Sequence, residues 1–344
     1  MMLFKRAGDL TGWLQQQRSL GRSIGFVPTL GALHPGHISL IDISKKTTEI
    51  TVCSIFVNPT QFNDPTDFQK YPKTIEKDIY LLEKAGTDVL FLPEVDEMYP
   101  GGTKDLEKYD LGGLETLLEG KYRPGHFQGV CQVMRRLLDM VGPNDLFMGQ
   151  KDYQQCMVVG RLIELMKADI RLHPCPIVRE ADGLAMSSRN LRLTAAEREK
   201  APAIYRALTL IKEGWEADGQ GADGRTGGRS MVGRPGVGST VAESTVAGRT
   251  VAESTGAGQM GGADPTVAGS TVGQGDLLSR ARAILEEAGF RIDYVEIVDA
   301  ATLEPIGDEA GAGGKDERTS GQKAVALVAA FLGEIRLIDN MLLQ

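Results

Sequence analysis

The chain has 344 residues, 42% of them hydrophobic, and a formal net charge of −8. That length suits one large domain or two smaller ones with a sizeable core. The acidic balance argues against a long basic face for nucleic acid, a local patch apart, and leaves room for small anionic substrates, since a site needs only a few cations.

Residues 24–28 (IGFVP) read as a short buried strand, followed by the loop TLGALHPGH and a helix from Ile38. Residues 50–57 (ITVCSIFV) read as a strand stopped at Asn58-Pro59. A helix is expected over 74–85, where Ile75, Ile79 and Leu82 recur on one side and Gly86 follows as the C′ residue. Residues 88–92 give a third strand, closed by Pro93. After a long loop the rhythm resumes with a helix over 127–140, a strand at 145–149, a helix over 152–167 and an extended segment at 170–178. Alternating strands and helices imply crossover connections and a parallel sheet, with ligands beyond the carboxyl ends of the strands. Residues 1–190 are therefore expected to form one α/β domain.

Thr194-Ala195-Ala196-Glu197 has the spacing of a capping box, which predicts a helix running to about Trp215. Residues 219–275 hold 16 glycines and no Phe, Tyr, Trp, Leu or Ile. TVAEST occurs there at 240–245 and again at 250–255. Ten residues are few for a solenoid unit, although a β-solenoid is the alternative. Ordering such a segment costs entropy with little burial in return, so it reads as a disordered surface insertion. A helix at 276–288 and strands at 290–298, 324–332 and 335–338, with 304–321 as a loop, complete a smaller α+β domain over 191–344. Cys53, Cys131, Cys156 and Cys175 are scattered without a C-x-x-C pair and read as buried thiols. The longest apolar run, Ala324–Leu332, is too short to span a bilayer, and no charged leader with an apolar core is visible. A cytoplasmic protein that crosses no membrane is expected.

Five polar constellations fall at strand ends. In the first, Leu30-Gly31-Ala32-Leu33-His34-Pro35-Gly36-His37, two histidines three apart open a helix. Free N–H groups there attract phosphate, and imidazoles donate to phosphoryl oxygens; capping or core histidines are the competing reading. This loop carries no G-x-G-x-x-G and no P-loop, and no nearby cysteine for zinc. In the second, the amides of Asn58 and Gln61 follow a strand and either orient a polar substrate or fix a turn. The third, Gly120–Phe127, reads as a mobile lid, an anion contact or a solvated turn. In the fourth, Gly149-Gln150-Lys151-Asp152 opens a helix, with Gln155 one turn on; Lys151 suits phosphate and Asp152 suits ribose, unless this is an ordinary charged helix start. The fifth runs from Val178 to Asn190, where Met186, Ser187, Ser188 and Arg189 make a loop able to hold polyphosphate. Arg179–Glu180 reads as a local ion pair. Asp78 reads as solvent-facing first, and second as a water-mediated Mg²⁺ ligand; no hard-ligand cluster accompanies it, so a metal delivered with a nucleotide is the more economical idea.

In this order, PTLGALHPGH, FVNPTQF, KYRPGHFQGV, GQKDYQQ and VREADGLAMSSRN closely resemble the pantoate–β-alanine ligase family of the nucleotidylyl-transferase superfamily, as does the tail FLGEIRLIDN. The resemblance covers nearly the whole chain outside 219–275. It implies a Rossmann-like N-terminal domain and a smaller covering domain, usually in a homodimer. It also implies the ATP- and Mg²⁺-dependent joining of pantoate to β-alanine through pantoyl adenylate. By resemblance, residues 30–37 wrap the ATP phosphates, His34 and His37 touch them, and His37 matches the residue assigned as proton donor. Residues 149–152 and Val178 match nucleotide contacts, and 186–189 match the second phosphate loop. Gln61 and Gln155, with Asn58, match the pantoate site, and Gln61 also lies near β-alanine. Lys151 and Arg189 join the histidines as the catalytic set, with Asp78 as the candidate metal ligand. Leu30 stands where the family usually has Met, and Gln150 where Glu or Lys is commoner. Other superfamily activities, a non-catalytic binding module and nucleic-acid binding are the weaker alternatives.

Overall fold

The computed structural model describes residues 1–63, 65–223, 273–306 and 323–343. The chain opens with β1 (Met2–Phe4), α1 (Ala7–Ser19), β2 (Ile24–Thr29), α2 (Pro35–Thr47) and β3 (Ile50–Ile55). It continues through α3 (Pro65–Gln69), α4 (Ile75–Lys84), β4 (Val89–Phe91), α5 (Val95–Met98), α6 (Leu118–Tyr122) and α7 (His126–Val141). Then come β5 (Asp145–Gly149), α8 (Tyr153–Met166), β6 (Arg171–Cys175), α9 (Ala195–Lys200) and α10 (Ala203–Asp223). It ends with α11 (Gln274–Glu287), β7 (Phe290–Asp299), β8 (Ala324–Leu332) and β9 (Ile335–Leu343).

The first six strands form one sheet in the order β1-β4-β3-β2-β5-β6, every pairing parallel. Side chains alternate between its faces. Phe26 packs in a core with Leu10 and Leu14 of α1, Val130 of α7 and Val158 of α8. The next residue, Val27, packs with Leu40 and Ile41 of α2 and Leu82 of α4. Helices thus cover both faces, as the α/β pattern requires. The chain winds from β2 toward β3 and β4, then returns to β5 and β6 on the other side. The crevice at this reversal lies between the carboxyl ends of β2 and β5, where open parallel sheets bind ligands. Pro28 helps open it: β2 pairs with β5 only at Gly25 and Phe26, so the missing N–H of Pro28 costs no bond on that side.

The second sheet, β7-β8-β9, is antiparallel. Ala326, Val328 and Ala330 of β8 face α10 and α11, while Val325 and Leu327 face Leu118, with Tyr153 and Met157 against the same cluster. Burial on both faces explains why β8 reads as an unbroken apolar run. The result is an α/β body with a parallel sheet and a smaller C-terminal α+β part.

Several boundaries differ from the sequence reading. β1 and α1 were not expected. The helix expected from Ile38 starts at Pro35, whose fixed φ suits a first helical position. The helix expected over 194–215 divides at Pro202 into α9 and α10. The proposed insertion overlaps helix at both ends, in residues 219–223 and at Gln274 and Gly275; its remainder, 224–272, and most of the 304–321 loop lie outside the described residues. β9 runs five residues past Ile338, to Leu343.

Candidate active site

The loop leaving β2 is shaped by backbone constraints. Gly31 has φ +81°, in the left-handed region that glycine adopts freely, and Ala32 follows at φ +49°, which costs energy for a residue with a Cβ. A fully buried carboxylate holds this turn. Asp78 Oδ2 accepts from Ala32 N at 2.9 Å, and Oδ1 accepts from Leu33 N at 2.8 Å and Thr74 Oγ1 at 3.0 Å. Asp78 is therefore neither solvent-facing nor a ready metal ligand; its oxygens are engaged by the loop. Asp78→Asn is expected to lower stability by about 2 kcal/mol, the scale of a buried donor left unmet, with the Mg²⁺ level for half-maximal activity unchanged. Denaturant midpoints and an Mg²⁺ titration check this; a shifted Mg²⁺ requirement at full stability would restore the metal role.

His34 is the N-cap residue of α2, and His37 lies three residues on, their ring centroids 4.0 Å apart. His37 Nδ1 accepts from His34 N at 3.3 Å, which leaves Nε2–H as the donor of a neutral ring. Burial, with His34 and Lys151 nearby, holds the His37 pKa well below 6.5. Burial and then Lys151 lower His34 to about 4. Both rings are thus held toward the neutral form at pH 7, in which His37 carries its proton on Nε2.

Beyond β3, Asn58 is fully buried. Its Oδ1 accepts from Tyr99 OH at 2.7 Å, and its Nδ2 donates to Gly129 O at 3.1 Å and Gln61 Oε1 at 3.2 Å. Asn58 thus orients Gln61, whose amide N–H₂ makes no hydrogen bond among the described residues, and is itself engaged on both sides. α7 comes this close because residue 129 is glycine: a Cβ there would collide with Thr60 O. His126 Nδ1 donates to Gln61 O at 2.7 Å, and its Nε2 accepts from Arg123 Nη1 at 3.2 Å. His126 is thus a buried support for Gln61, while Lys121, Tyr122, Pro124 and Gly125 before it stay exposed. Burial and then Arg123 depress His126 to about 3.

Beyond β5, Lys151 sits in a 3-10 turn with Nζ 3.8 Å from Asp152 Oδ1. In α8, Gln154 is buried, accepting from Glu119 N and donating to Leu114 O and Leu117 O. Gln155 lines the cleft, and its amide makes no hydrogen bond among the described residues. Beyond β6, Met186 N donates to Val178 O at 3.0 Å. Ser188 Oγ donates to Ala32 O at 2.9 Å, so it stitches the two phosphate-loop candidates together rather than standing open. Arg189 and Arg192 both pair with Asp67, at 2.8 and 2.6 Å. Arg179 pairs with Asp339 at 2.6 Å, not with Glu180 as the local reading had it.

One cleft gathers Leu30, His34, Gly36, His37, Asn58, Gln61, Gly149, Lys151, Asp152, Gln155, Val178, Met186, Ser187, Ser188 and Arg189. Gly31, Ala32, Leu33, Pro35 and Gln150 shape the loops without lining it, and Asp78 lies behind them. Sequence reasoning missed Glu119, Tyr294 and Asp339, which also line it.

The depressed groups fix a pH response. A histidine whose pKa falls from 6.5 to about 4 or 3 on folding takes up a proton on unfolding. Stability is therefore full above pH 6.5 and declines as pH falls toward 3. Denaturant midpoints are expected to drop across this window, with His126→Asn giving a shallower slope by up to one proton; an unchanged slope would contradict the assignment.

The family model for pantoate-beta-alanine ligase matches residues 2–342. A pantothenate synthetase of Acidobacterium capsulatum is 40% identical over 94% of this chain and 86% of its own length. The crystal structure of pantothenate synthetase from Thermus thermophilus superposes with a TM-score of 0.74 at 34% identity, covering 99% of both chains. That of the Francisella tularensis pantoate-beta-alanine ligase, complexed with beta-gamma ATP and beta-alanine, gives 0.66 at 28% identity, covering 99% of this chain and 97% of that one. The full-length match and the convergence of the motif residues on one cleft lead to one assignment: the chain belongs to the pantoate–β-alanine ligase family.

Proposed function

We infer that the cleft joins pantoate to β-alanine with the cleavage of ATP. The observation that carries this is the meeting of the His34–His37 loop, Lys151 and the Ser187–Arg189 loop opposite Gln61 and Gln155. In the first step the pantoate carboxylate, already a nucleophile at neutral pH, attacks the α-phosphorus. A carboxylate O–P bond forms, the α–β phosphoanhydride bond breaks, and pyrophosphate leaves. Catalysis here is positioning plus stabilisation of negative charge. Lys151 and Arg189 supply cations, His34 and His37 donate as neutral rings, and residues 30–37, 149–152, Val178 and Met186 seat the nucleotide. Gln61 and Gln155 orient pantoate through directional amide bonds.

In the second step the neutral amine of β-alanine attacks the acyl carbon, the C–N bond forms as the acyl C–O bond to phosphate breaks, AMP departs, and the nitrogen sheds its extra proton to water to leave the amide. Gln61, held by Asn58 and His126, is placed to meet both acid substrates. The Francisella structure, complexed with beta-gamma ATP and beta-alanine, supports the identity of these two ligands. Among the described residues no three His, Cys, Asp or Glu side chains cluster as a metal cage, which fits Mg²⁺ held mainly by nucleotide phosphates. When bound it would neutralise phosphate charge.

Residues 1–190 act as the catalytic domain and 191–344 as a smaller covering domain. Separate cores and the placement of Tyr294, Leu327 and Ile338 on the cleft wall support that division. The family resemblance supports a homodimer. Four free, buried cysteines support a reducing, cytoplasmic location, and no described helix is long and apolar enough to cross a membrane. The charge of −8 supports no nucleic-acid partner. The test omits each substrate in turn while pyrophosphate, AMP and pantothenate are measured. Pyrophosphate release requires pantoate alone, and AMP release requires β-alanine as well; pyrophosphate formed without pantoate would overturn the reading.

A further inference from the structure

The last strand carries two adjacent polar residues that the chemistry above does not use. Asp339 and Asn340 are 2% and 1% exposed, set between Ile338 and Met341. Polar groups at such depth are costly unless partnered. Their partners lie on the active-site loops. Asn340 Nδ2 donates to Gln150 O and Lys151 O, both at 2.9 Å. Asp339 accepts from both Nη atoms of Arg179, at 2.6 and 3.1 Å. Arg179 also donates to Gly183 O at 3.0 Å, inside the hairpin that presents Val178 and Met186.

We propose that Asn340 is a positioning residue for Lys151, acting through the two peptide carbonyls that flank the Lys151 Cα. This rests on the phosphate role inferred for Lys151. A single amide nitrogen bonded to consecutive carbonyls fixes the planes of both peptides and hence the direction in which the lysine leaves the turn. The amide orientation is itself determined. Asn340 Oδ1 is buried and has no partner among the described residues, and flipping the group to relieve it would point that oxygen at two carbonyl oxygens. One unmet acceptor is tolerated to keep the donor on the Lys151 turn. Asp339 does the same for the neighbouring hairpin through the bidentate fork of Arg179. The C-terminal strand thus sets the stance of the phosphate-facing loops, and Asn340 does so from behind the cleft lining.

The test is a double-mutant cycle on pyrophosphate release in a single turnover with ATP and pantoate. Asn340→Asp keeps the shape but turns a carboxylate toward the two carbonyls. Alone, it is expected to slow this step about 10- to 100-fold, the scale of a misplacement near 1 Å. The reaction of preformed pantoyl adenylate with β-alanine is expected to stay within about threefold of wild type, since Lys151 faces the phosphates leaving in the first step. In a Lys151→Ala background, Asn340→Asp is expected to cost nothing further. Equal losses in both backgrounds, or equal slowing of both half-reactions, would mean a general structural role and would overturn the proposal. Should Asn340→Asp fail to fold, Asn340→Ser, uncharged and unable to span both carbonyls, is read through the same cycle and decides it. If Lys151→Ala alone leaves the first step intact, the phosphate role fails; if that variant is slow while the Asn340 variants are wild type, only the positioning inference fails.

Discussion

Alanine at His37 or at Lys151 is expected to slow pyrophosphate release by about 100-fold or more, the scale of a lost transition-state contact. Both residues follow strands that flank the reversal of sheet order, so they meet where the transferring phosphorus is expected. Negative charge grows on the departing pyrophosphate, and Lys151, with 17% of its side chain exposed, offers a cation partly withdrawn from water. His37 works differently. Burial holds its ring toward the neutral form and its Nδ1 already accepts from the backbone, so an Nε2–H donor is its expected contribution. A side-chain amide offers a donor too, so His37→Gln is expected to retain more first-step activity than His37→Ala. Single-turnover assays without β-alanine check both points. Wild-type rates in His37→Ala and Lys151→Ala would remove these residues from the reaction, and Gln no better than Ala would return His37 to proton transfer.

Arg336→Ala is expected to lower stability by about 3 kcal/mol, the scale for stripping one partner from a buried ion pair. Arg336 donates from Nη1 and Nη2 to Glu119 at 2.8 Å each and from Nε to Asp293 at 2.7 Å. Tyr294 OH adds a bond to Glu119 at 2.8 Å. Burial pushes the Glu119 carboxyl upward, yet hydrogen bonding and charge from Arg336, with Arg123 and Tyr294, overcome it and hold the pKa at about 2. Removing the guanidinium leaves that carboxylate buried with Arg123 3.7 Å away as its remaining cation. Because β9 supplies Arg336 and α6 supplies Glu119, the loss falls on the junction between the two sheets. Urea midpoints at constant m check this. Arg336→Lys is expected to recover only part of the loss, since an ammonium cannot reproduce the fork. A midpoint within error of wild type would show the network to be worth little.

The sheet and the first histidine loop were legible because their signals are local. Strand, loop and helix follow one another in the sequence, and the phosphate chemistry of the loop is written in adjacent residues. The partners of Asp78, Asn58, Ser188 and Asn340 were not legible. Each role depends on a group tens of residues away or more, and only the folded chain brings them together. Gln154 and Gln155 make the point most sharply. They are chemically identical neighbours: the spacing from Asp152 marked Gln155 for the cleft, but nothing local marked Gln154 for the buried loop it holds. α1 was missed because only Leu10, Leu14 and Gln17 are buried along it, a thin stripe. The division at Pro202 was missed, because the capping signal at Thr194 marks where a helix starts and says nothing of where it ends.

Asp67 spans Arg189 and Arg192. On the proposed function, a polyphosphate that takes the Arg189 fork would exchange one counterion for another instead of capturing a bare cation. The same carboxylate would then oppose the arrival of nucleotide and ease the departure of pyrophosphate.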